Sequence, residues 1–326
     1  MNKDAERRII ELLKDGEALQ SSIPRSLGLS RSRVSEVLSE LERRNLIVRR
    51  RIGRNYVVSL SSAARPGRRI RLGIIRSSEY GYVVPLSRIL RDRGYELEIR
   101  IYENGADVMR ELASGRLEFG ISPLVMQIFM TSLRFPIRIV APAGSGGAHL
   151  FGRSSMERLR ALTSRLSTME LLLRTAVNQS MLREPSSVEY FDDPADAVLR
   201  FTSGRADVIS IWEPFATQLR RMGYSELADY GYEHYCCSLS AHSSLDSDFV
   251  EGFVRLFQSS IQEYARNPQA YAPAYASLLG LPYSIVSDSI RSYRYHYELD
   301  AGIIRRQLEL AGIRVPSPSS IEELVS

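Results

Sequence analysis

Trp212 and Glu213 stand side by side in the run "VISIWEP". An aromatic face beside a carboxylate, set at the end of a strand, suits a flat, amine-bearing ligand: the ring stacks and the carboxylate accepts the amine. Cys236 and Cys237 are the only cysteines and are adjacent. Sequence neighbours rarely pair, so no structural disulfide is expected, and the two read as small residues on a buried strand. The four histidines, His149, His234, His242 and His296, are scattered. His234 beside adjacent cysteines is not a standard zinc spacing, so no metal is expected. Gly144-Ser145-Gly146-Gly147 offers backbone N–H groups to an anion but lacks the Gly-Lys-Ser/Thr of a phosphate loop; it reads as a hinge or a pocket-lining turn. No Ser/His/Asp triad can be argued. The only lysines are Lys3 and Lys14 among 43 basic residues, so nothing after residue 14 can form a Schiff base. These residues point to binding without a cofactor, not to catalysis.

A second set of chemistry-bearing residues lies near the N-terminus. Ser30, Arg31, Ser32, Arg33 and Ser35 open a helix, and Arg49, Arg50, Arg51 and Arg54 crowd a hairpin. Short hydrogen-bond donors and arginines at a helix start can reach base edges in a major groove, and a basic hairpin can touch phosphates. Residues 1–62 hold 13 Lys/Arg against 8 Asp/Glu, whereas the remaining 264 residues hold 30 of each. Polyanion binding is driven largely by counterion release, so the position of that excess matters more than its total. The competing reading is a solvated basic face on a domain that makes only protein contacts.

The elements that position these groups follow from periodicity. Asp4–Lys14 buries Ile9, Ile10, Leu12 and Leu13 on one helical face and stops at Gly16. Ala18–Leu27 reads as a short second helix ending at Gly28. Ser30 is a good N-cap for Arg31–Arg43, where Val34, Val37, Leu38 and Leu41 must face inward. Leu46–Arg51 and Asn55–Leu60 read as two strands. The order of helices, "RRNLI" and basic hairpin resembles the winged helix domains of MarR-like and Lrp-like regulators, over about 60 residues. Residues 63–69, containing Pro66-Gly67, read as a linker. The long dimerising linker helix of LysR-type regulators is missing.

Beyond the linker, strands Ile70–Ile75, Leu97–Tyr102 and Phe119–Ser122 alternate with helices Tyr82–Arg91 and Val108–Ala113. This predicts an α/β architecture with mostly parallel, doubly wound sheets, whose ligands sit beyond the carboxyl ends of the strands. Tyr293, Tyr295 and Tyr297 read as packing residues of a helix. "ELASGRLEFGIS" and "RFTSGRADVISIWEP" repeat one theme of helix, Ser-Gly-Arg turn, acid and strand.

"SGRLEFGISPLVMQI", "STMELLL" and "SGRADVISIWEPFATQLRRMGY" resemble type II periplasmic solute-binding proteins of the sulfonate, nitrate and thiamine-pyrimidine branch, over roughly residues 70–315. The resemblance implies a two-lobed domain closing on a ligand, with lobe 1 at about 70–145 and 240–326 and lobe 2 at about 146–239. It implies ligand-lining positions at Ser77, Ser78, Glu79, Tyr80, Asn104, Ser122, Ser145, Ser167, Thr168, Trp212 and Glu213. "YCCSLSAHSSLDSDFVEGFVRLF" falls where thiamine-pyrimidine synthases of this fold carry a longer cysteine-rich strand. A synthase of that kind needs a lysine to hold pyridoxal phosphate, and the large domain has none.

The expectation is therefore a winged helix domain at 1–62, a linker at 63–69 and a two-lobed sensor at 70–326. The chain would be a ligand-responsive transcriptional regulator whose partners are double-stranded DNA and a small-molecule effector. That effector is a thiamine-pathway pyrimidine or, next, a sulfonate or related anion. The alternative is a solute-binding protein whose winged helix serves only assembly. No run approaches the roughly 20 apolar residues that span a bilayer, and acids interrupt the N-terminus where a signal peptide would be apolar. A cytoplasmic homodimer without membrane contact is expected.

Overall fold

The computed structural model describes residues 3–14, 16–44, 46–53, 55–61, 68–153, 159–230, 233–315 and 321–325. Packing divides the chain into two units, residues 1–69 with 87–97 and residues 70–86 with 98–326.

The first unit begins with α1 (Lys3–Lys14), β1 (Ala18–Leu19), α2 (Ile23–Leu27), α3 (Arg31–Arg43), β2 (Ile47–Ile52) and β3 (Asn55–Leu60). The three strands form an antiparallel sheet in the order β1-β3-β2. Ile9 and Leu13 of α1, Ile23 of α2 and Val34, Val37, Leu38 and Leu41 of α3 close one core with Ile47, Val58 and Leu60. Ser30 caps α3, its Oγ accepting from the Arg33 amide at 3.2 Å. The expected helix from Ala18 is shorter. Ala18 and Leu19 instead pair with Val58 and Val57, and Pro24, which has no amide proton to lose, stands in the first turn of α2.

The larger unit carries two sheets. The chain from residue 68, of which 68–69 and 87–97 group with the first unit, runs β4 (Arg68–Ile75), α4 (Val83–Arg91), β5 (Tyr95–Tyr102), α5 (Gly105–Ala113), β6 (Phe119–Pro123), α6 (Leu124–Ser132) and β7 (Ile137–Gly146). The chain then builds a second lobe: β8 (Ala148–Gly152), β9 (Arg160–Thr163), α7 (Thr168–Asn178), β10 (Ser187–Tyr190), α8 (Pro194–Thr202), β11 (Val208–Trp212), α9 (Phe215–Arg221) and β12 (Ser225–Asp229). It returns through β13 (Cys237–His242), α10 (Ser247–Arg266), α11 (Pro268–Leu279), α12 (Tyr283–Ser289), β14 (Tyr293–Tyr295), α13 (Ala301–Leu310) and α14 (Ile321–Val325).

The sheet orders are β14-β7-β13-β6-β4-β5 and β10-β9-β11-β8-β12. Both are mixed, not mostly parallel. β13 runs antiparallel to β6 and β7, and β8 antiparallel to β11 and β12. The reason is the double crossing: strands entering or leaving a lobe run against those laid down by helical crossovers. The first crossing is at Gly146 and Gly147, both at positive φ. A Cβ on Gly146 would lie 2.1 Å from the Ser292 carbonyl oxygen, and one on Gly147 would lie 2.2 Å from the Tyr293 ring, so only glycine fits. Tyr293–Tyr295 is a strand, not a helix; the alternation of tyrosines is the period of two. Among the described residues, no helix is long and apolar enough to cross a membrane.

Candidate functional site

After β4 the chain turns inward. Ser77 is extended and its Oγ accepts from the Glu79 amide at 3.2 Å, opening a short turn over Ser78–Tyr80 whose side chains are all buried. The Ser77 and Tyr293 hydroxyls are 3.0 Å apart. From the second lobe, Ser167 caps α7, its Oγ accepting from the amides of Met169 and Glu170 at 3.2 and 3.4 Å. Thr168 Oγ1 donates to the Cys236 carbonyl at 3.3 Å. The Trp212 indole N–H donates to the Arg76 carbonyl at 3.0 Å, and its ring stacks on Phe191 at 5.7 Å. Ser77, Glu79, Tyr80, Ser167, Thr168 and Trp212 thus meet around one cavity of about 30 Å³ between the two sheets, together with Cys236, Cys237 and Tyr293.

No basic residue lines this inner cavity among the described residues. Glu79 is 1% exposed and its Oε1 has no hydrogen-bond partner among the described residues. Burial pushes the Glu79 carboxyl well above the usual carboxylate range. Burial likewise raises the phenol of Tyr80, whose oxygen lies 3.1 Å from the Cys237 sulfur. Outside lies a groove of about 580 Å³ that shares Gly105, Pro123, Ser164 and Ser167 with the cavity and adds Met126, Met130 and Phe135. Its cations are engaged: Arg110 pairs with Asp107 at 2.6 Å, and Arg165 sits 3.9 Å over the Tyr190 ring.

Five expected ligand residues sit elsewhere. Glu213 is fully buried away from the cavity: its Oε2 accepts from the Thr217 amide at 2.9 Å and its Oε1 from Arg220 at 2.5 Å. A carboxylate already paired and hydrogen-bonded cannot also serve a ligand amine. Ser122 belongs to an internal polar cluster in which Gln127 donates to its Oγ at 3.1 Å and accepts from Ser238 and Ser240. The Ser145 hydroxyl is 2.7 Å from the His296 ring. Ser78 is buried beneath the turn, with its amide donating to the Glu213 carbonyl at 3.2 Å. Asn104 caps α5, accepting from the Asp107 amide at 2.9 Å, and lines only the outer groove. The two arginines that could supply a counter-charge from nearby strand ends are engaged: Arg76 pairs with Glu103, and Arg153 donates to the carbonyls of Phe201 and Thr202.

In the first unit, Ser30, Arg31, Ser32 and Ser35 are exposed at the start of α3, and Arg33 is half-buried and 3.3 Å from Glu36. On the hairpin, Arg50 and Arg51 are exposed. Arg49 turns back onto Glu42 of α3, its Nε donating at 2.9 Å, and that bond holds the Glu42 carboxyl below its usual range. It braces the hairpin against the helix instead of facing outward. Arg54 lies outside the described residues.

Comparison with known proteins places this geometry. Residues 2–61 match a family described as a domain of unknown function, DUF7343. No curated protein matches the chain in sequence. In structure it is similar to the ligand-binding component of an ABC-type import system from Staphylococcus aureus with zinc bound, at 18% identity and a TM-score of 0.67, over 79% of this chain and 99% of that one. It is also similar to the periplasmic aliphatic sulphonate binding protein SsuA from Escherichia coli, at 17% and 0.64, over 79% and 92%. A third similar structure is the alkanesulfonate-binding protein SsuA from Xanthomonas axonopodis pv. citri bound to MOPS, at 17% and 0.65, over 78% and 97%. The larger unit has the periplasmic binding protein fold. Within that fold Cys236, Cys237 and Tyr293 line the cavity, where their sequence context suggests only packing. The available signal was topological: Cys236 and Cys237 stand where the chain re-enters the first lobe, at the same crossing as Gly147.

Proposed function

We propose that the chain is a DNA-binding transcriptional regulator whose two-lobed unit senses a small molecule. The first unit is a winged helix in this reading, with α3 as recognition helix and β2–β3 as wing. The observation that carries it is the exposed start of α3, where Arg31, Ser32 and Ser35 stand over a face fixed inward by Val34, Val37, Leu38 and Leu41. That surface belongs to the part of the chain holding the whole basic excess. We place the protein in the cytoplasm as a homodimer, because a single winged helix buries little surface on DNA and symmetric half-sites need a two-fold partner. The role is binding, not catalysis.

The effector we infer has a small cationic or amine head and an apolar body. A sulfonate bound by its neighbours would meet no counter-charge in the inner cavity, whereas an amine would meet Glu79, and Tyr80 and Trp212 offer rings beside it. A cavity of about 30 Å³ admits a head group, and the groove of about 580 Å³ holds the remainder. The aminopyrimidine precursor of thiamine is the leading candidate. Thermal denaturation with that pyrimidine and with ethanesulfonate tests the inference. Saturating ligand at 100 Kd should add about 2.7 kcal/mol. Stabilisation by the sulfonate alone would move the site to the arginine-flanked outer groove.

One observation favours a second reading, in which the first unit serves assembly only. Val48, Ile52 and Tyr56 expose about half their surface on the hairpin, at 48%, 50% and 46%, as an interface would. Salt dependence separates the two: DNA retention should collapse with salt, and apolar assembly should not.

A further inference from the structure

Adjacent residues of a regular strand point to opposite faces, yet the sulfurs of Cys236 and Cys237 lie 3.5 Å apart. The register of β13 against β7 shifts between Cys237 and Ser238, and Cys236 precedes the strand, so the two side chains converge. Both face the cavity from which Glu79 projects, and the three potential donor atoms all lie within 4.8 Å of one another. Glu79 supplies the independent sign of a missing partner. It is 1% exposed, its Oε1 accepts no hydrogen bond among the described residues, and no basic side chain lines the cavity. A buried carboxyl oxygen left without a donor is costly. Its position is also shaped. A Cβ on Gly144 would stand 2.9 Å from Glu79 Oε1, so only glycine leaves the carboxyl where it is.

We propose that Glu79, Cys236 and Cys237 form a binding site for a thiophilic divalent cation of the zinc class. Two sulfurs on one tetrahedral zinc, at about 2.3 Å each, stand about 3.8 Å apart, close to the separation found here. The donor set selects the metal. Thiolates exclude magnesium and calcium, and a carboxylate beside them favours zinc or cobalt(II) over copper(I). The cavity of about 30 Å³ holds one such ion with a water. Three protein ligands leave a fourth position open toward the cavity, the arrangement of a metal that keeps an exchangeable site. Binding takes both sulfurs as thiolates and releases their thiol protons to solvent, and no oxidation state changes. The metal and the cationic head of an effector are alternative counter-charges for one carboxylate. The metal site therefore shares the cleft with the proposed effector site but does not depend on it, and either can fail alone.

The test uses the reduced full-length protein titrated with cobalt(II) and then zinc. One equivalent of cobalt(II) should produce thiolate-to-metal charge-transfer absorption and the visible bands of a tetrahedral ion, and one equivalent of zinc should abolish both. Cys237→Ser should remove most of the charge-transfer band. Glu79→Gln, which keeps volume and shape, should retain the band but weaken zinc in competition with a chromophoric chelator by about tenfold or more. Far-ultraviolet circular dichroism checks that each variant folds. If the wild type shows no charge-transfer band at saturating cobalt(II), the proposal is overturned without reference to any variant. A band unchanged in Cys237→Ser overturns it equally.

Discussion

Replacing Arg220 by Met removes the cation that faces a carboxylate with no exposed surface. Glu213 Oε1 accepts from Arg220 at 2.5 Å, its Oε2 accepts from the Thr217 amide at 2.9 Å, and the side chain is 0% exposed. The same guanidinium reaches Glu226 at 2.8 Å, which in turn lies 2.6 Å from His149. Deleting one partner of a buried pair leaves an uncompensated charge and typically costs about 3–5 kcal/mol. In a unit of this size each kcal/mol lowers Tm by roughly 2–4 °C, so Arg220→Met should lose roughly 6–20 °C. Removing both charges, in Glu213→Gln with Arg220→Met, should recover part of that loss, because the fully buried position then carries no charge, while the less buried Glu226 loses its arginine and keeps only His149 beside it. The assay is thermal denaturation followed by circular dichroism on the two single variants and the double. The cycle also separates the two carboxylates. Glu213→Gln should alter stability and leave effector-induced stabilisation in place, whereas Glu79→Gln should abolish the effector's contribution. A loss under about 1 kcal/mol for Arg220→Met, or a double variant no better than the single, would refute the pairing argument.

Against the upward push of burial, hydrogen bonds from His149 and Arg220 hold the Glu226 carboxyl down to about 2. A depressed folded pKa gives stability that is complete above the unfolded value and is lost as pH falls through the folded one. The larger unit should therefore weaken between about pH 4.3 and pH 2, and Glu226→Gln should flatten that part of a denaturation series. Gly146→Ala drives a Cβ into the Ser292 carbonyl at 2.1 Å, and alanine at φ +87 is strained besides; it should cost more than about 1 kcal/mol and blunt effector-induced stabilisation in the same assay. Arg49→Ala should lower the stability of the first unit by breaking its pair with Glu42 while leaving the salt slope of DNA binding intact. Sedimentation at micromolar concentration should find a dimer, and a monomer with and without DNA would count against one.

How much could be read in advance varied by element. α3 was legible because four apolar residues at helical spacing and a serine cap agree, and the structure starts and ends it at Arg31 and Arg43. β1 was not, because two residues carry no period; Ala18 and Leu19 become a strand only through their partner β3. The strand end that carries Ser77, Glu79 and Tyr80 was visible from the alternation of strands and helices, whereas Ser167, at a helix start, came only from the family resemblance. Which side chain turns inward there was not visible. Glu79 and Glu213 look alike in sequence, and only the fold brings Arg220 to one and leaves the other without a cation. The convergence of Cys236 with Cys237 depends on a register shift that no local pattern announces.

The central claim, a salt-sensitive DNA reader governed by a ligand-binding unit, is tested most directly by fluorescence anisotropy of a labelled random-sequence duplex. The full chain is titrated across a salt series, with and without the aminopyrimidine. The account predicts that log K falls linearly with log salt, at about 0.9 per phosphate neutralised, and that Arg31→Ala, Arg50→Ala and Arg51→Ala each reduce the slope or the affinity while Arg49→Ala does not. Ligand should shift the affinity of the wild type and leave Glu79→Gln unmoved. A duplex that stays unbound at low salt, or binds with no dependence on salt or on these arginines, would contradict it.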